Sequence, residues 1–327
     1  MKEIRFASFG QPSLVAKSVE VPDVGPPSAW EVVVDVEAFP INPADLAMLS
    51  GRYGKLPKLP STIGMEAVGR VALRGTAVKD LEIGDRVVIL ANNNWAERRK
   101  VPAATVHKVP ADGAVAQYAM LKVNPATAYM LLNRFQKLSE KEWIVQTAPL
   151  SSVGRCVVQI AKTMKVRTIN VVKRAETKPN VLELGGDVAI EDGPDLAQRV
   201  RAAIGQRPPR LALDAIAGPG VQRLAECLGE GGQIVNYGML SAENCSLSPE
   251  QCIFRGVSLV GFWLSSVLNR LTLPERTSLY SAISDMVVSG TLNMAIDSQF
   301  PFSEITEALR RAEQSGRSGK VIVSLAR

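Results

Sequence analysis

The residues best suited to chemistry lie between Ala148 and Gly154, a run of small side chains between an apolar stretch and a helical one. Ile144 and Val145 precede it. Val153, Val157, Ile160 and Met164 recur behind it at helical spacing, so the stretch from Glu142 to Lys162 reads as strand, tight turn and helix. Such a turn aims backbone N–H groups and the positive end of a helix at one point, where the pyrophosphate of a dinucleotide could sit. Ser151 and Ser152 stand where two glycines are commoner, and a lone loop of this kind is equally an ordinary strand-to-helix turn.

Two further positions carry reactive groups. The apolar run Ile169-Asn-Val-Val172 leads into Lys173 and Arg174, and the first acid after it is Glu176. An acidic residue at such a strand end suits the ribose hydroxyls of NAD, whereas basic ones suit the 2′-phosphate of NADP. Arginine meets phosphate with a planar fork and lysine with a point charge; a solvated basic turn would look the same. Tyr53 follows Gly51, beyond a short helix opened by Asn42, Pro43 and Asp45. On residue types alone it reads as a tyrosine covering the end of a barrel. Metal chemistry has little to work with. The only histidine, His107, lies in the alternating run Thr105-Val-His-Lys-Val109 and reads as structural, and the four cysteines form no close pair. Cys156, Cys227, Cys245 and Cys252 suit a reducing compartment better than a disulfide framework.

The elements that must position these groups follow from the period of the sequence. Up to about residue 110 short β-branched runs such as Glu31–Glu37 and Arg86–Leu90 are punctuated by Gly, Pro and Asp, the pattern of a barrel-like β domain. From about residue 119 strand-like runs alternate with helical ones: Trp143–Thr147, Thr168–Val172, Asp187–Ile190, Leu211–Ala215, Gln233–Tyr237 and Val257–Gly261. Helical periods fall between them, as at Leu196–Ile204 and Val221–Leu228. Strands alternating with helices form a parallel sheet covered on both faces. Six such strands predict the doubly wound α/β fold, with ligand beyond the strands' carboxyl ends. That makes 148–154 the first strand-to-helix turn and favours cofactor binding there. After Leu264 helices are expected around Pro274–Val288 and Phe302–Glu313, and a strand over Val321–Leu325, all returning to complete the first domain.

The 327 residues predict two domains, and a hydrophobic content of 46% with 21% charged residues describes a globular chain. No apolar run approaches the ~18 residues of a membrane span. The start, Met1-Lys-Glu-Ile-Arg-Phe6, is strand-like and unlike a signal peptide. The net charge of +6 is spread along the chain, as on an ordinary basic surface. It would suit phosphate-bearing ligands or an acidic carrier protein.

Several segments together resemble a known family. Ile41-Asn-Pro-Ala-Asp45 followed by Gly51-Arg-Tyr-Gly54, then Val123-Asn-Pro-Ala-Thr-Ala-Tyr129, Arg167-Thr-Ile-Asn-Val-Val172, Asn236-Tyr-Gly-Met239 and Gly261-Phe-Trp-Leu-Ser265 are similar to the zinc-independent medium-chain dehydrogenase/reductase superfamily. Within it they resemble the 2-enoyl thioester reductases, the branch of the mitochondrial enoyl-CoA/ACP reductases. The N-P-x-D and G-x-Y segments also occur in quinone oxidoreductases, whereas N-P-x-T-A-Y and G-F-W-L-S are more restrictive. The resemblance implies a GroES-like barrel catalytic domain over 1–118 and 265–327, and an NADP-binding Rossmann domain over 119–264.

Carried over position by position, Tyr53 falls on the family's catalytic tyrosine. Asn124 matches an asparagine beside the cofactor, and Ser152, Val153 and Gly154 the phosphate loop. Lys173 and Arg174 fall at the 2′-phosphate. Tyr237, Gly238 and Met239 match a nicotinamide-side loop, Phe262, Trp263 and Leu264 the segment closing over the nicotinamide, and Lys320 a late basic contact to the cofactor. Two departures matter. The loop serine is tolerable only at negative φ, and the family's second arginine is Ala175 here. Where zinc-dependent relatives carry glycine-histidine-glutamate, this chain has Gly64-Met65-Glu66.

The implied activity is reduction by NADPH of the 2,3 double bond of enoyl thioesters on CoA or an acyl carrier protein. The β carbon receives the hydride, and Tyr53 gives its proton to the α carbon; phenols in water stay protonated up to pH ~10. The same scaffold supports a quinone or enone oxidoreductase. A nucleotide-responsive binding protein contacting RNA is a third reading, disfavoured because no basic stretch is interleaved with aromatics. A carrier would need a basic mouth, which Arg98-Arg-Lys100 or Arg310-Arg311 could provide, although either cluster taken alone reads first as solvated surface charge; a homodimer is expected through the apolar edge Val257–Gly261. The expected compartment is the cytoplasm, or the mitochondrial matrix for a processed eukaryotic chain.

Overall fold

The computed structural model describes residues 1–205 and 207–325. These form two compact units, Met1–Val123 together with the chain from Thr272 onward, and Asn124–Leu271.

The second unit is built on one parallel sheet of six strands. In spatial order these are Val188–Glu191, Arg167–Val172, Trp143–Thr147, Leu211–Asp214, Gln233–Asn236 and Ser258–Gly261. Strand order therefore reverses between Trp143–Thr147 and Leu211–Asp214, the arrangement that opens a binding crevice at the carboxyl edge of a doubly wound sheet. Every expected strand forms. The four inner strands are mostly apolar because helices cover both of their faces. The helix Ser152–Thr163 buries Cys156, Val157, Val158, Ile160 and Ala161, and each large aliphatic side chain removed from water contributes about 1.5–3 kcal/mol. Leu196–Ile204 and Gly220–Cys227 bury Val200, Val221 and Leu224 in the same way. The last strand, Ser258–Gly261, has no partner on its outer side among the described residues, and its side chains are only half-buried.

The first unit is mostly antiparallel. Its larger sheet runs Ile296–Pro301, Lys320–Ser324, Glu31–Pro40, Ala67–Arg74, Arg86–Ile89 and Val106–Lys108, with Arg98–Pro102 also paired to Glu31–Pro40. A smaller sheet joins Lys17–Glu20, Lys2–Phe6 and Ser61–Thr62. Phe39 lies at the centre of the core, stacked on Trp95 at 5.3 Å and meeting Phe302 edge-on at 6.1 Å. The C-terminal segments return to this unit as expected. Phe302–Glu304 is a 3-10 turn, however, and the α-helix starts at Ile305. His107 is half-buried in a strand with its ring 6.1 Å from that of Tyr280, and burial lowers its pKa, as befits a structural histidine. No helix among the described residues is long and apolar enough to cross a membrane.

Candidate active site

The approach to Tyr53 is fixed by a helix closed at both ends. Pro43–Leu49 starts where the Asn42 N–H donates to Asp45 Oδ2 at 2.8 Å. It stops at Gly51, whose φ of +72° is in the left-handed region. There the Gly51 N–H donates to Met48 O at 3.1 Å and the Arg52 N–H to Ala47 O at 2.8 Å. These two bonds are a Schellman closure, which favours glycine at its turning residue. Tyr53 comes next, half-buried.

Beneath that helix lies a buried cluster of charged side chains. Asp45 and Glu66 are fully buried, Lys122 and Lys320 nearly so. Asp45 Oδ1 accepts the Met65 N–H at 3.0 Å, and Glu66 takes Asn42 Nδ2 at 2.8 Å and the Val123 N–H at 2.9 Å. Lys122 Nζ donates to Met65 O, to Ala91 O at 3.1 Å and to Asn92 Oδ1 at 2.8 Å. Lys320 Nζ donates to Asn42 Oδ1 at 2.8 Å. Burial pushes Asp45 up to about 7 against the hydrogen bonds it accepts, and pushes Glu66 up likewise. Burial lowers Lys122 to about 8, with the nearby carboxylates opposing the fall. The ammonium of Lys320, the expected late basic contact to a cofactor, is buried and donates to Asn42, because a lysine inside a protein must find acceptors there.

The second unit carries the loop of small residues at the carboxyl end of Trp143–Thr147. Ser151 is the N-cap of Ser152–Thr163, at φ −67° and ψ 163°, and its Oγ accepts the Gly154 N–H at 3.1 Å. A serine here is thus a capping residue at negative φ, and capping is the reason it can replace glycine. Gly154 cannot be replaced so freely. A Cβ on it would lie 2.4 Å from Ala148 O and 2.7 Å from Pro149 Cα. Arg155 braces the loop through Nε to Leu150 O at 3.1 Å. The next strand ends at Lys173 and Arg174, both exposed, and Arg174 Nε sits 3.4 Å from Glu176 Oε1. An exposed pair of this kind is weak, so both basic heads remain available to a phosphate.

One carboxylate ties the neighbouring loops together. Asp214 is buried at the end of its strand. Its Oδ1 accepts Thr147 Oγ1 at 2.9 Å and the Ile216 N–H at 3.0 Å, while Oδ2 accepts the Ala217 N–H at 2.9 Å and Asn236 Nδ2 at 2.8 Å. Asn236 Nδ2 also donates to Gly238 O at 2.9 Å. Gly238 packs against Ala215, where a Cβ would meet its carbonyl oxygen at 2.5 Å. Tyr237 turns its hydroxyl inward, and desolvation, then Asp214, raise its pKa. Met239 is exposed. Phe262 is buried against Phe135, Trp263 is 42% exposed, and Leu264 opens the helix Leu264–Leu268. Asn124, buried, begins the helix Asn124–Arg134. The sheet thus brings Ser152–Gly154, Lys173–Arg174, Tyr237–Met239 and Phe262 to the carboxyl ends of adjoining strands.

The same architecture runs through known proteins. Residues 152–282 match the family "Zinc-binding dehydrogenase" and residues 28–129 the "Alcohol dehydrogenase GroES-like domain". The mitochondrial enoyl-[acyl-carrier-protein] reductase of Dictyostelium discoideum is 33% identical over 332 residues, covering 99% of this chain and 95% of the relative. The chain belongs to the enoyl thioester reductase branch of the medium-chain dehydrogenase/reductases. Two solved structures have this branch's superfamily fold. A Bacillus thuringiensis protein described as a candidate NADPH:quinone reductase is 26% identical with a TM-score of 0.91, covering 99% of this chain and 98% of its own. The mitochondrial 2-enoyl thioester reductase heterodimer of Candida tropicalis is 23% identical with a TM-score of 0.88, over 99% of both chains.

Although one matching family is named for zinc, the described residues of this medium-chain reductase hold no group of three or more His, Cys, Asp or Glu side chains able to bind a metal. The sequence assigned no role to Asp214, Thr147, Asn236, Glu66 or Lys122. Their only signal is a polar residue inside an apolar run, as in Leu211-Ala-Leu-Asp-Ala-Ile216 and Met120-Leu-Lys-Val123. Of the two basic clusters, Arg98, Arg310 and Arg311 are ion-paired within their own unit, while Arg99 and Lys100 donate to the backbone carbonyls of Asn92 and Pro26. Arg98 holds Asp23 and Asp35 at 2.8 and 2.7 Å, Arg311 holds Asp297 at 2.6 Å, and Arg310 holds Glu307.

Proposed function

We propose that this chain is an NADPH-dependent, zinc-independent reductase of the 2,3 double bond of enoyl thioesters. The observation that carries this reading is the identity of 33% along almost the entire length of an enoyl-[acyl-carrier-protein] reductase. The cofactor assignment rests on the second unit itself. Gly154 lets the first turn of the helix pack directly on the backbone of Ala148 and Pro149, where any Cβ would clash, and that helix N-terminus is suited to a phosphate. Ser152, Val153 and Gly154 would hold the pyrophosphate, Lys173 and Arg174 the 2′-phosphate. Tyr237–Met239, Phe262–Leu264 and Asn124 would hold the nicotinamide end. Lys320, whose ammonium has donors beyond the one given to Asn42, would supply a late basic contact to the cofactor.

When bound, NADPH supplies the hydride that reduces the β carbon. The protein's part is to hold the substrate and move a proton. Addition at the β carbon places negative charge on the thioester oxygen, which hydrogen-bond donors must stabilise. Tyr53 then acts as general acid toward the α carbon. The substrate is the acyl thioester of CoA or of an acyl carrier protein, and the active form is a homodimer paired through the open edge Ser258–Gly261. A monomer by light scattering at micromolar concentration would remove the dimer. The likeness to the Bacillus thuringiensis protein favours quinone reduction as the second reading. Initial rates of NADPH oxidation with crotonyl-CoA, longer enoyl thioesters and quinones, repeated with NADH, separate the two. Turnover of quinones with no thioester reduction would overturn the first.

A further inference from the structure

The buried charges of the first unit end at a pocket that the reaction scheme above leaves unused. Its volume is about 280 Å³, and Met48, Leu56, Pro57 and Met65 form apolar walls, with Lys55 and Asn92 also lining it. Lys122 lies behind the wall, with its ammonium bound to Met65 O and Asn92 Oδ1. An ammonium has three donors and no acceptor, so the Asn92 amide must present its oxygen to Lys122. The other end of the amide, Nδ2, is then directed away from the buried charge. Asn92 is exposed and its Nδ2 has no partner among the described residues. The pocket therefore combines apolar walls, the oriented donor of Asn92 beside the polar side chains of Ser61 and Asn93, and an ammonium on the exposed Lys55.

These features fit a particular kind of ligand. An acyl tail offers no acceptor for Asn92 and no charge for Lys55. An extended arm with amide carbonyls along it and a phosphate at its end uses all three features. Resting on the enoyl thioester reading, we infer that this pocket takes the phosphopantetheine arm of the substrate. Asn92 Nδ2 donates to an arm carbonyl, Lys55 meets the arm's phosphate, and Lys122 is a positioning residue that acts through the Asn92 amide. Coenzyme A and an acyl carrier protein both present this arm.

The test compares crotonyl-CoA, crotonyl-acyl carrier protein and S-ethyl crotonothioate, which has the same reacting group and no arm. Asn92→Asp keeps an acceptor for Lys122 and removes the donor but adds a negative charge, so its effect is read at high salt, where repulsion of the arm's phosphate is screened. It should lower the ratio of kcat/KM for the armed substrates over the S-ethyl ester by about three- to tenfold, the weight of one neutral hydrogen bond, through KM rather than kcat. Lys55→Ala should lower the same ratio, and more so at low salt. Lys122→Met, which frees the amide to turn, should shift KM in the same direction; if that variant does not fold, Asn92→Asp decides. The ratio should fall for both armed substrates, and the one with the higher kcat/KM on the wild type identifies the natural source. Calorimetry with free coenzyme A gives a readout without turnover: binding by the wild type that weakens in Asn92→Asp supports the pocket even if no thioester is reduced. An unchanged ratio together with unchanged coenzyme A binding overturns the inference while leaving the reductase reading intact.

Discussion

Replacing Gly154 by alanine tests the cofactor loop at its tightest point. The added Cβ would stand 2.4 Å from Ala148 O and 2.7 Å from Pro149 Cα, both backbone atoms that cannot swing aside. Ordinary contact begins near ~3.4 Å, so loop and helix must separate by roughly 1 Å, and overpacking of this kind costs about 1–3 kcal/mol. The displacement falls on the N–H groups that would face the pyrophosphate. Each hydrogen bond to a charged oxygen is worth about 1.5–3 kcal/mol, so losing one weakens NADPH by about ten- to a hundredfold. Gly220→Ala is the control. Its nearest neighbour would be the flexible Arg223 guanidinium at 3.6 Å, within an α-helix, and stability there should hold or rise by up to about 1 kcal/mol. NADPH affinity by fluorescence titration and Tm by calorimetry give both readouts. If Gly154→Ala binds NADPH as tightly as wild type, the loop at 148–154 does not hold the pyrophosphate.

Other outcomes follow from the same geometry. Tyr53→Phe should lower kcat for enoyl thioesters by about 10²–10⁴-fold, the usual weight of a general acid, with NADPH affinity nearly intact; an unchanged rate removes Tyr53 from the mechanism. Arg174→Ala should raise KM for NADPH several-fold and leave KM for NADH unmoved, and equal effects on both would detach Arg174 from the 2′-phosphate. Asp45 gives a pH signature. Its folded pKa, about 7, lies above the ordinary aspartate value of 3.8, so between those values the folded chain holds a proton that the unfolded chain has lost. Stability must then fall as pH rises through that window, by up to about 4 kcal/mol. Lys122, lowered from 10.5 to about 8, works at the other end: its penalty is in force below pH 8 and is relieved as pH rises toward 10.5. Asp45→Asn loses a backbone acceptor yet never ionises. Urea unfolding should show the variant gaining on wild type from pH 4 to 8, and a pH-independent difference would refute the assignment.

Some of this was legible in the sequence for physical reasons. The inner parallel strands are buried on both faces and therefore appear as mainly apolar runs such as Leu211-Ala-Leu213. Gly51 and Asn42-Pro43 mark the ends of one helix because backbone conformation restricts residue type there. Ile296–Pro301 was missed as a strand, because an edge strand carrying Asp297, Ser298 and Gln299 has neither the run nor the alternation. Charge was read least well. Arg98, Arg311 and Lys320 look like free cations in one dimension, and their partners Asp35, Asp297 and Asn42 lie far along the chain. Glu66 and Lys122 carry no sign of burial in their types.

Asp214 also bears on how the second unit moves. Its two oxygens collect donors from the ends of three neighbouring strands: Thr147, its own loop at Ile216 and Ala217, and Asn236. Releasing any one of these loops leaves a buried carboxylate short of a donor, so the three are expected to open in a single cooperative event. Amide exchange at Ile216 and Ala217 should then slow together when a dinucleotide binds, although neither residue need touch it.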